Sequence, residues 1–332
     1  MSVKLGREAY VGVGIEGTPG TAVAATKYLP FVTCTVRGMQ EPIADEAAKG
    51  VREKVWGAIT GPKHGEGDIE IYADAENAAY LLYPALGSCS SATASGESTV
   101  YEHTITRKTT SQPKTITVIY NDTQDTRSYA YGTVNTLELS VSDGLATISA
   151  NILSKFPASA TASAAYTSER ILAFKDYTIK FGSGSTGTAA LADAATSIPT
   201  KLRSFTLNIN NNAEVQYLSG DQNAAQVSVG EFEVGGDYTL FYENIKERAF
   251  YETLLSGSDA VRAMIVTFSG GSIGSAKTEE IEIRIPNFHI TERGFDTAVA
   301  GFITESPTFV AEYDPDETKS IQVKITNKTS NY

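Results

Sequence analysis

Few residues of this chain are spaced to do chemistry. Gly12, Gly14 and Gly17 match the G-x-G-x-x-G spacing that cradles a pyrophosphate, but that fingerprint works only between a strand and a helix. Here the glycines lie inside alternating sequence and run into Thr18-Pro19-Gly20, which stops a helix. They read as a glycine-rich strand end entering a turn. His64, His103 and His289 stand far apart, without the short-spaced Cys or His partners that a zinc site needs. No nucleophile-elbow pattern occurs, although a Ser-His-Asp triad is assembled by a fold and not by spacing. Two acidic clusters, Asn121-Asp122-Thr123-Gln124-Asp125 and Asp314-Pro315-Asp316-Glu317, offer oxygens to a hard cation, but this composition is the ordinary one for turns. Cys34 and Cys89 read as reduced thiols, too few for a disulfide framework. The sequence therefore predicts no catalytic residue, no metal and no cofactor, and argues for a structural role.

The elements available to position side chains are mostly strands. Alternating residues 133–142 and 145–153 flank Asp143-Gly144, the signature of a β-hairpin. Residues 115–120, 171–181, 263–268, 281–285 and 321–326 also alternate or are rich in β-branched side chains. Two segments, 75–86 and 243–255, look helical, with Tyr80, Leu81, Leu82 and Leu86 forming one apolar stripe and Phe250, Tyr251, Leu254 and Leu255 the other. The pattern predicts a mainly-β sandwich or barrel with one flanking helix per domain.

The sequence also repeats itself. Gly67-Asp68-Ile69-Glu70-Ile71-Tyr72, followed by the first helical segment, is echoed by Gly236-Asp237-Tyr238-Thr239-Leu240-Phe241 and the second, 169 residues later. Upstream, residues 28–36 match 202–209. Two copies predict an internally duplicated chain: a first β-domain at 1–160 and a second, pseudo-equivalent one at 161–332. The small, uncharged stretch 157–165 suits a linker. The Gly/Ser/Ala-rich stretch 182–197 reads as a flexible loop, and 88–99 as a low-complexity segment.

The net charge is −12, with 13 Lys/Arg against 17 Asp/Glu in residues 1–166 and 14 against 22 in 167–332. Such a distribution gives no basic footprint for gripping nucleic acid. No stretch approaches the ~20 apolar residues of a membrane span, and the first residues lack the apolar core of a signal peptide, so neither membrane nor secretion is expected. Residues 39–66 form a long, mixed-charge insert between strands, carrying the only tryptophan. Mixed charge around an aromatic anchor is typical of interfaces. The insert thus reads as an inter-subunit arm with Val51, Arg52, Lys54, Val55 and Trp56 as contact candidates; a mobile surface loop is the plainer alternative.

Taken in order, several runs resemble one family. They are Glu16-Gly17-Thr18-Pro19-Gly20-Thr21-Ala22, Tyr28-Leu29-Pro30-Phe31, the charged arm, the Gly67-Asp68 strand and Tyr80-Leu81-Leu82-Tyr83-Pro84-Ala85-Leu86-Gly87. The central hairpin from Gly132 and the run from Ser204 to Val215 continue the series. Over roughly residues 8–312 the chain resembles the major tail tube proteins of long-tailed, siphovirus-type bacteriophages, in a duplicated form. The resemblance implies a β-sandwich with a flanking helix, a fold shared with the inner tubes of contractile tails and of type VI secretion. It implies stacked rings, and for a duplicated chain a homotrimeric ring with pseudo-sixfold symmetry. Arm 39–66 would reach a neighbouring subunit or ring. The implied partners are further copies of the chain, the tape measure protein, and the tail terminator and tip proteins. The implied location is the virion tail, after assembly in the host cytoplasm. No catalytic residues carry over.

The phage genome would pass through such a tube without specific binding, and an acidic lumen would repel its phosphates. Candidate lumen carboxylates are Glu138, Asp143, Glu231, Glu233, Glu280 and Glu282, each of which also fits an outer surface. The competing expectation is a secreted or surface-displayed β-sandwich adhesin or carbohydrate-binding module. It calls for a signal peptide, an anchor or clustered exposed aromatics, none of which stands out.

Overall fold

The computed structural model describes residues 3–332 apart from 51, 168, 185, 198, 244–245, 257–260 and 298–300. The first half contains β1 (Tyr10–Ile15), β2 (Lys27–Leu29), β3 (Phe31–Cys34), β4 (Arg37–Gln40), β5 (Ile43–Asp45), β6 (Gly57–Ile59) and β7 (Lys63–Tyr72). Helix α1 (Ala79–Leu86) follows, then β8 (Gly87–Thr93), β9 (Tyr101–Arg107), β10 (Ile116–Asn121), β11 (Thr126–Val141), β12 (Thr147–Ser154) and the short β13 (Ala158–Ser159). The second half contains β14 (Tyr177–Gly184), α2 (Gly187–Thr196), β15 (Leu202–Asn210), β16 (Glu214–Tyr217), β17 (Ala224–Ser228) and β18 (Glu233–Phe241). Helix α3 (Lys246–Leu255) precedes β19 (Val261–Ser272), β20 (Thr278–Ile285), β21 (Phe288–Asp296), β22 (Thr304–Ala311) and β23 (Gln322–Asn327).

The fold is mainly β, as the alternation predicts. One sheet has thirteen strands and a second has six, ordered β14-β19-β20-β23-β9-β8; neither path closes into a barrel. The sheets face each other across one apolar core that draws on both sequence halves, with Leu139, Ile148 and Tyr238 from the large sheet and Val266, Ile283 and Val323 from the smaller. Alternation sets this directly: in β7, Ile69 and Ile71 are fully buried, whereas Asp68 is exposed and Glu70 partly so.

Each half of the sequence contributes a run of neighbouring strands to the large sheet. In the large sheet the first half contributes the neighbouring strands β3/β4, β7, β12, β11, and the second half β15, β18, β22, β21. The two series join where β11 pairs antiparallel with β15, from Thr136 opposite Asn210 to Val141 opposite Phe205. In the six-stranded sheet β23 lies between β20 of the second half and β9 of the first.

The Asp143-Gly144 hairpin is present as β11–β12. Helix α1 is buried all round and ends at Gly87, whose φ of 95° needs glycine and whose N–H donates to the Tyr83 carbonyl. Its first predicted turn is instead held by Asp74, which accepts the backbone N–H groups of Glu76 and Asn77. Two segments depart from the sequence reading. The stretch read as a flexible loop contains α2, started by the Thr186 side chain accepting from the Ala189 N–H. Alanine is the best helix former, and Ala190, Leu191 and Ala194 bury against Ala263 and Ile265 of β19. The low-complexity stretch after α1 begins as β8, which needs only its partner β9 to order it.

The glycine-rich start is a packed strand. A Cβ at Gly14 would lie 2.4 Å from the Ala24 carbonyl oxygen. Just beyond it Glu16, 1% exposed, accepts from the hydroxyls of Thr115 and Thr117 and from the N–H groups of Gly20 and Tyr131. Four donors turn on one carboxylate, and Tyr131 there adopts a left-handed φ of 60° where β11 passes from β10 to β12. Glu16→Ala is expected to cost about 2–4 kcal/mol, since buried donors would lose their acceptor. An unfolding free energy within ~0.5 kcal/mol of the parent, from denaturant titration, would show the cluster to be dispensable.

Candidate functional site

The chemistry-bearing residues are not brought together. Among the described residues no group of three or more His, Cys, Asp or Glu is placed to hold a metal. His64 meets the Tyr217 hydroxyl, His103 lies between Ser91 and Asn327, and His289 pairs with Glu312. Both acidic clusters organise turns: Asp122 accepts the N–H groups of Gln124 and Asp125, and Asp314 those of Gly187 and Glu317. Among the described residues no helix is long and apolar enough to cross a membrane.

Three surfaces are built instead. The first is the face of the large sheet turned away from the core. Register fixes three cross-strand rows on it. One runs Glu70, Ser149, Glu138, Asn208, Gly235, Val310; the next Asp68, Asn151, Thr136, Asn210, Glu233; the third Thr147, Ser140, Thr206, Asp237, Thr308, Glu292. These rows hold six carboxylates interleaved with hydroxyls and amides, and no Lys or Arg. Asn151 donates to Asp68 at 2.9 Å, and Ser140 and Thr147 share a hydrogen bond. Burial raises the Asp237 pKa against a lowering hydrogen bond from Thr206.

The sequence-derived carboxylates divide over the molecule. Glu138 and Glu233 lie in these rows. Asp143 sits in the β11–β12 turn and Glu231 in the connection before β18, both exposed. Glu280 and Glu282 lie on β20 of the other sheet, on its face away from the core. There Glu282 pairs with Arg284 at 2.6 Å and stands opposite Lys324. Burial and then the Glu282 charge raise the Glu280 pKa. That face is mixed in sign, whereas the rows of the large sheet carry one sign. Asp68, Glu70 and Asp237 belong to the repeated Gly-Asp strands, and alternation against Ile69 and Ile71 is the signal that places the first two on one face.

The second surface is the arm. Its ends pair as β5–β6, Ile43 opposite Ile59, and the Trp56 N–H donates to the Asp45 carbonyl. Trp56 is 50% exposed and Ile59 68%, with Ile43 and Val55 also open. Lys49 ion-pairs with Asp45 and lies over the Trp56 ring, and Lys54 pairs with Glu46. Arg52 is exposed; Val51 lies outside the described residues. The equivalent stretch of the second half, β16–β17, instead folds back on the first. Ala224 and Val227 are buried, the Tyr217 hydroxyl reaches His64, and the Gln222 carbonyl accepts the Lys63 N–H.

The third surface comprises two sheet edges, β3/β4 and β21, each paired on one side only among the described residues. Open edges, an exposed arm with an aromatic anchor and a polar face whose central rows carry only carboxylate charge define a mainly-β structural subunit. Its family is specific: the chain matches the phage tail tube protein family over residues 6–317 and belongs to it. A comparison with curated proteins gives no match. Membership makes the chain a component of the phage virion tail that assembles with copies of itself into a tube.

Proposed function

We propose that three copies form a ring of six pseudo-equivalent β-units, that rings stack in a long-tailed phage, and that the polar face of the large sheet lines the channel for DNA. The observation that carries this reading is the set of three rows with six carboxylates and no cation. Such a wall keeps an anionic duplex hydrated and mobile, whereas fixed Lys or Arg would add salt-dependent attachments. The duplication is supported by the shared strand order of the two halves, and a closed ring needs the front of one unit to dock on the back of the next. Glu138 and Glu233 then face the lumen, together with Asp68, Glu70, Asp237 and Glu292. Glu280 and Glu282 sit outside it, and Asp143 and Glu231 at its rims. The arm reaches a neighbour, and the tape measure, terminator and tip proteins complete the partner set.

Electron cryomicroscopy of assembled tubes tests the ring, and six chains per ring would end the pseudo-hexamer reading. The lumen has its own test. Tubes carrying Glu70→Lys and Glu138→Lys are expected to retain duplex oligonucleotides, with log affinity falling against log salt at about −0.9 per phosphate engaged. Tubes of the variant that retain no more duplex than the parent would remove this face from the channel wall.

A further inference from the structure

One polar contact, away from the large sheet and the arm, has the direction of an acyl-transfer site. Ser91 on β8 stands opposite His103 on β9, and its Oγ lies 2.7 Å from His103 Nδ1. On the far side of the ring, His103 Nε2 lies 3.0 Å from Asn327 Oδ1 at the end of β23. The three strands are neighbours in the six-stranded sheet, although Asn327 is 224 positions along the chain from His103.

The neighbours fix each proton. Asn327 Nδ2 donates to the Ala75 carbonyl at 2.8 Å, and the Thr329 N–H donates to Asn327 Oδ1 at 3.0 Å. The atom facing the imidazole is therefore the amide oxygen, which only accepts, so Nε2 carries the ring hydrogen. Nδ1 keeps its lone pair, and the Ser91 hydroxyl must donate to it. This is the order in which a serine passes its proton to an imidazole held by a third group. Burial lowers the His103 pKa against the raising effects of Asn327, the Thr329 N–H and the Glu76 charge, so the ring is an unprotonated base at neutral pH. His103 is fully buried, whereas Ser91 is exposed.

The backbone supplies the remaining part. The Lys108 N–H donates to the Leu86 carbonyl at one end of the β8–β9 ladder, and the Ala94 N–H to the Val100 carbonyl at the other. Hydrogen-bonded pairs alternate along an antiparallel ladder, and the register between these ends runs without a shift. Ser91 and His103 are thus a non-hydrogen-bonded pair, whose closer side chains explain their direct contact. The Ser91 N–H points away from β9, and β8 has no second neighbour among the described residues. A free N–H beside the nucleophile is placed to hold an oxyanion.

We propose that Ser91 is a nucleophile toward carboxylic esters, with His103 as its general base and Asn327 as the residue that positions the imidazole. Ser91 Oγ bonds to the ester carbonyl carbon while its proton passes to His103 Nδ1. The carbonyl oxygen, as its charge develops, accepts the Ser91 N–H. The bond from that carbon to the leaving oxygen then breaks, and the proton passes from Nδ1 to the leaving oxygen. The products are the free alcohol and Ser91 carrying the acyl group. Glu76, which already accepts the Lys328 N–H, and the Tyr332 ring, 4.7 Å from the imidazole centre, border the transient imidazolium. The site lies on the open edge of the smaller sheet and does not depend on the ring reading.

Treatment of the intact protein with p-nitrophenyl acetate tests this, with acetyl groups located by peptide mass spectrometry. Ser90, exposed on the same strand but turned to the other face, is the internal control. Ser91 should acetylate about a hundredfold faster than Ser90, the usual gain from a positioned base. Its rate should fall as His103 protonates, with a midpoint below the ordinary histidine value of 6.5. Glu76, Cys89 and Tyr332 also border the pair, and burial pushes the Cys89 and Tyr332 pKa values up, away from this range. Asn327→Asp keeps the acceptor and adds a charge, so it should move the midpoint up, which a merely structural role would not do. Ser91→Ala should lose the fast label. Equal labelling of Ser90 and Ser91, or a Ser91 rate indifferent to pH between about 5 and 8, overturns the proposal whether or not the protein forms tubes. An unmoved midpoint in Asn327→Asp removes Asn327 from the site.

Discussion

Trp56→Ala is expected to give a folded, monomeric chain that forms no tubes. Inside its own chain the indole has little to lose: half its surface is open, and its neighbours are the Lys49 ammonium over the ring and the backbone bond to Asp45. Exposed positions of this kind change stability by about 0.5 kcal/mol or less. In the proposed inter-subunit contact the same side chain, with the exposed Ile43, Val55 and Ile59 of the arm, would be the one large anchor. Truncating such an anchor commonly costs about 2–4 kcal/mol at an interface. In the proposed ring that loss would recur at each junction, so the assembly equilibrium would shift far more than one contact suggests. The measurement is an unchanged thermal melt together with absent tubes by negative stain. Full-length tubes from the substituted protein would remove the arm from assembly.

Glu247→Ala is expected to destabilise the second half by about 3–5 kcal/mol, the usual cost of leaving one buried charge without its partner. Glu247 and Arg262 are 5% and 9% exposed, and the carboxylate takes both terminal nitrogens of the guanidinium at 2.5 and 2.7 Å. The Tyr238 hydroxyl donates to the same carboxylate at 2.6 Å. The guanidinium lies 4.3 Å from the Phe181 ring centre and 4.9 Å from that of Phe250. Burial by itself would lower the Arg262 pKa, but the bond to Glu247 holds it above its ordinary value. For Tyr238, burial and the Glu247 charge both push the hydroxyl's pKa up. The cluster ties α3 to β18 and β19, so its loss should loosen the helix first. Glu247→Leu combined with Arg262→Met should recover much of the loss, because an apolar pair of similar volume avoids desolvation. A single Glu247→Ala variant with a parent-like urea midpoint would contradict this account.

The parts of the fold legible in sequence are those with local signals. Asp143-Gly144 between alternating runs is a hairpin wherever it occurs, and Ile69 and Ile71 against Asp68 and Glu70 fix the two faces of β7 without reference to any other strand. The echo of residues 67–86 at 236–255 is legible because a Gly-Asp strand followed by a helical segment recurs there. What escaped is non-local or masked by composition. Helix α2 hides behind the Gly and Ser residues that flank its alanine run, and only burial against β19 reveals it. Alternation says which residues of β20 face outward but not that β20 belongs to the smaller sheet, so Glu280 and Glu282 look no different from Glu138 and Glu233. The β11–β15 pairing joins residues about seventy positions apart, and nothing in either strand names its partner.

One strand is the last that the smaller sheet receives. β23 seals the gap between β20 and β9, yet it is synthesised after every strand it joins, and its partner β9 leaves the ribosome more than two hundred residues earlier. Loop closure over such a span is slow. While the chain is still being made, the first-half strands of the smaller sheet wait with an open edge. The smaller sheet thus cannot be completed until translation has passed Asn327.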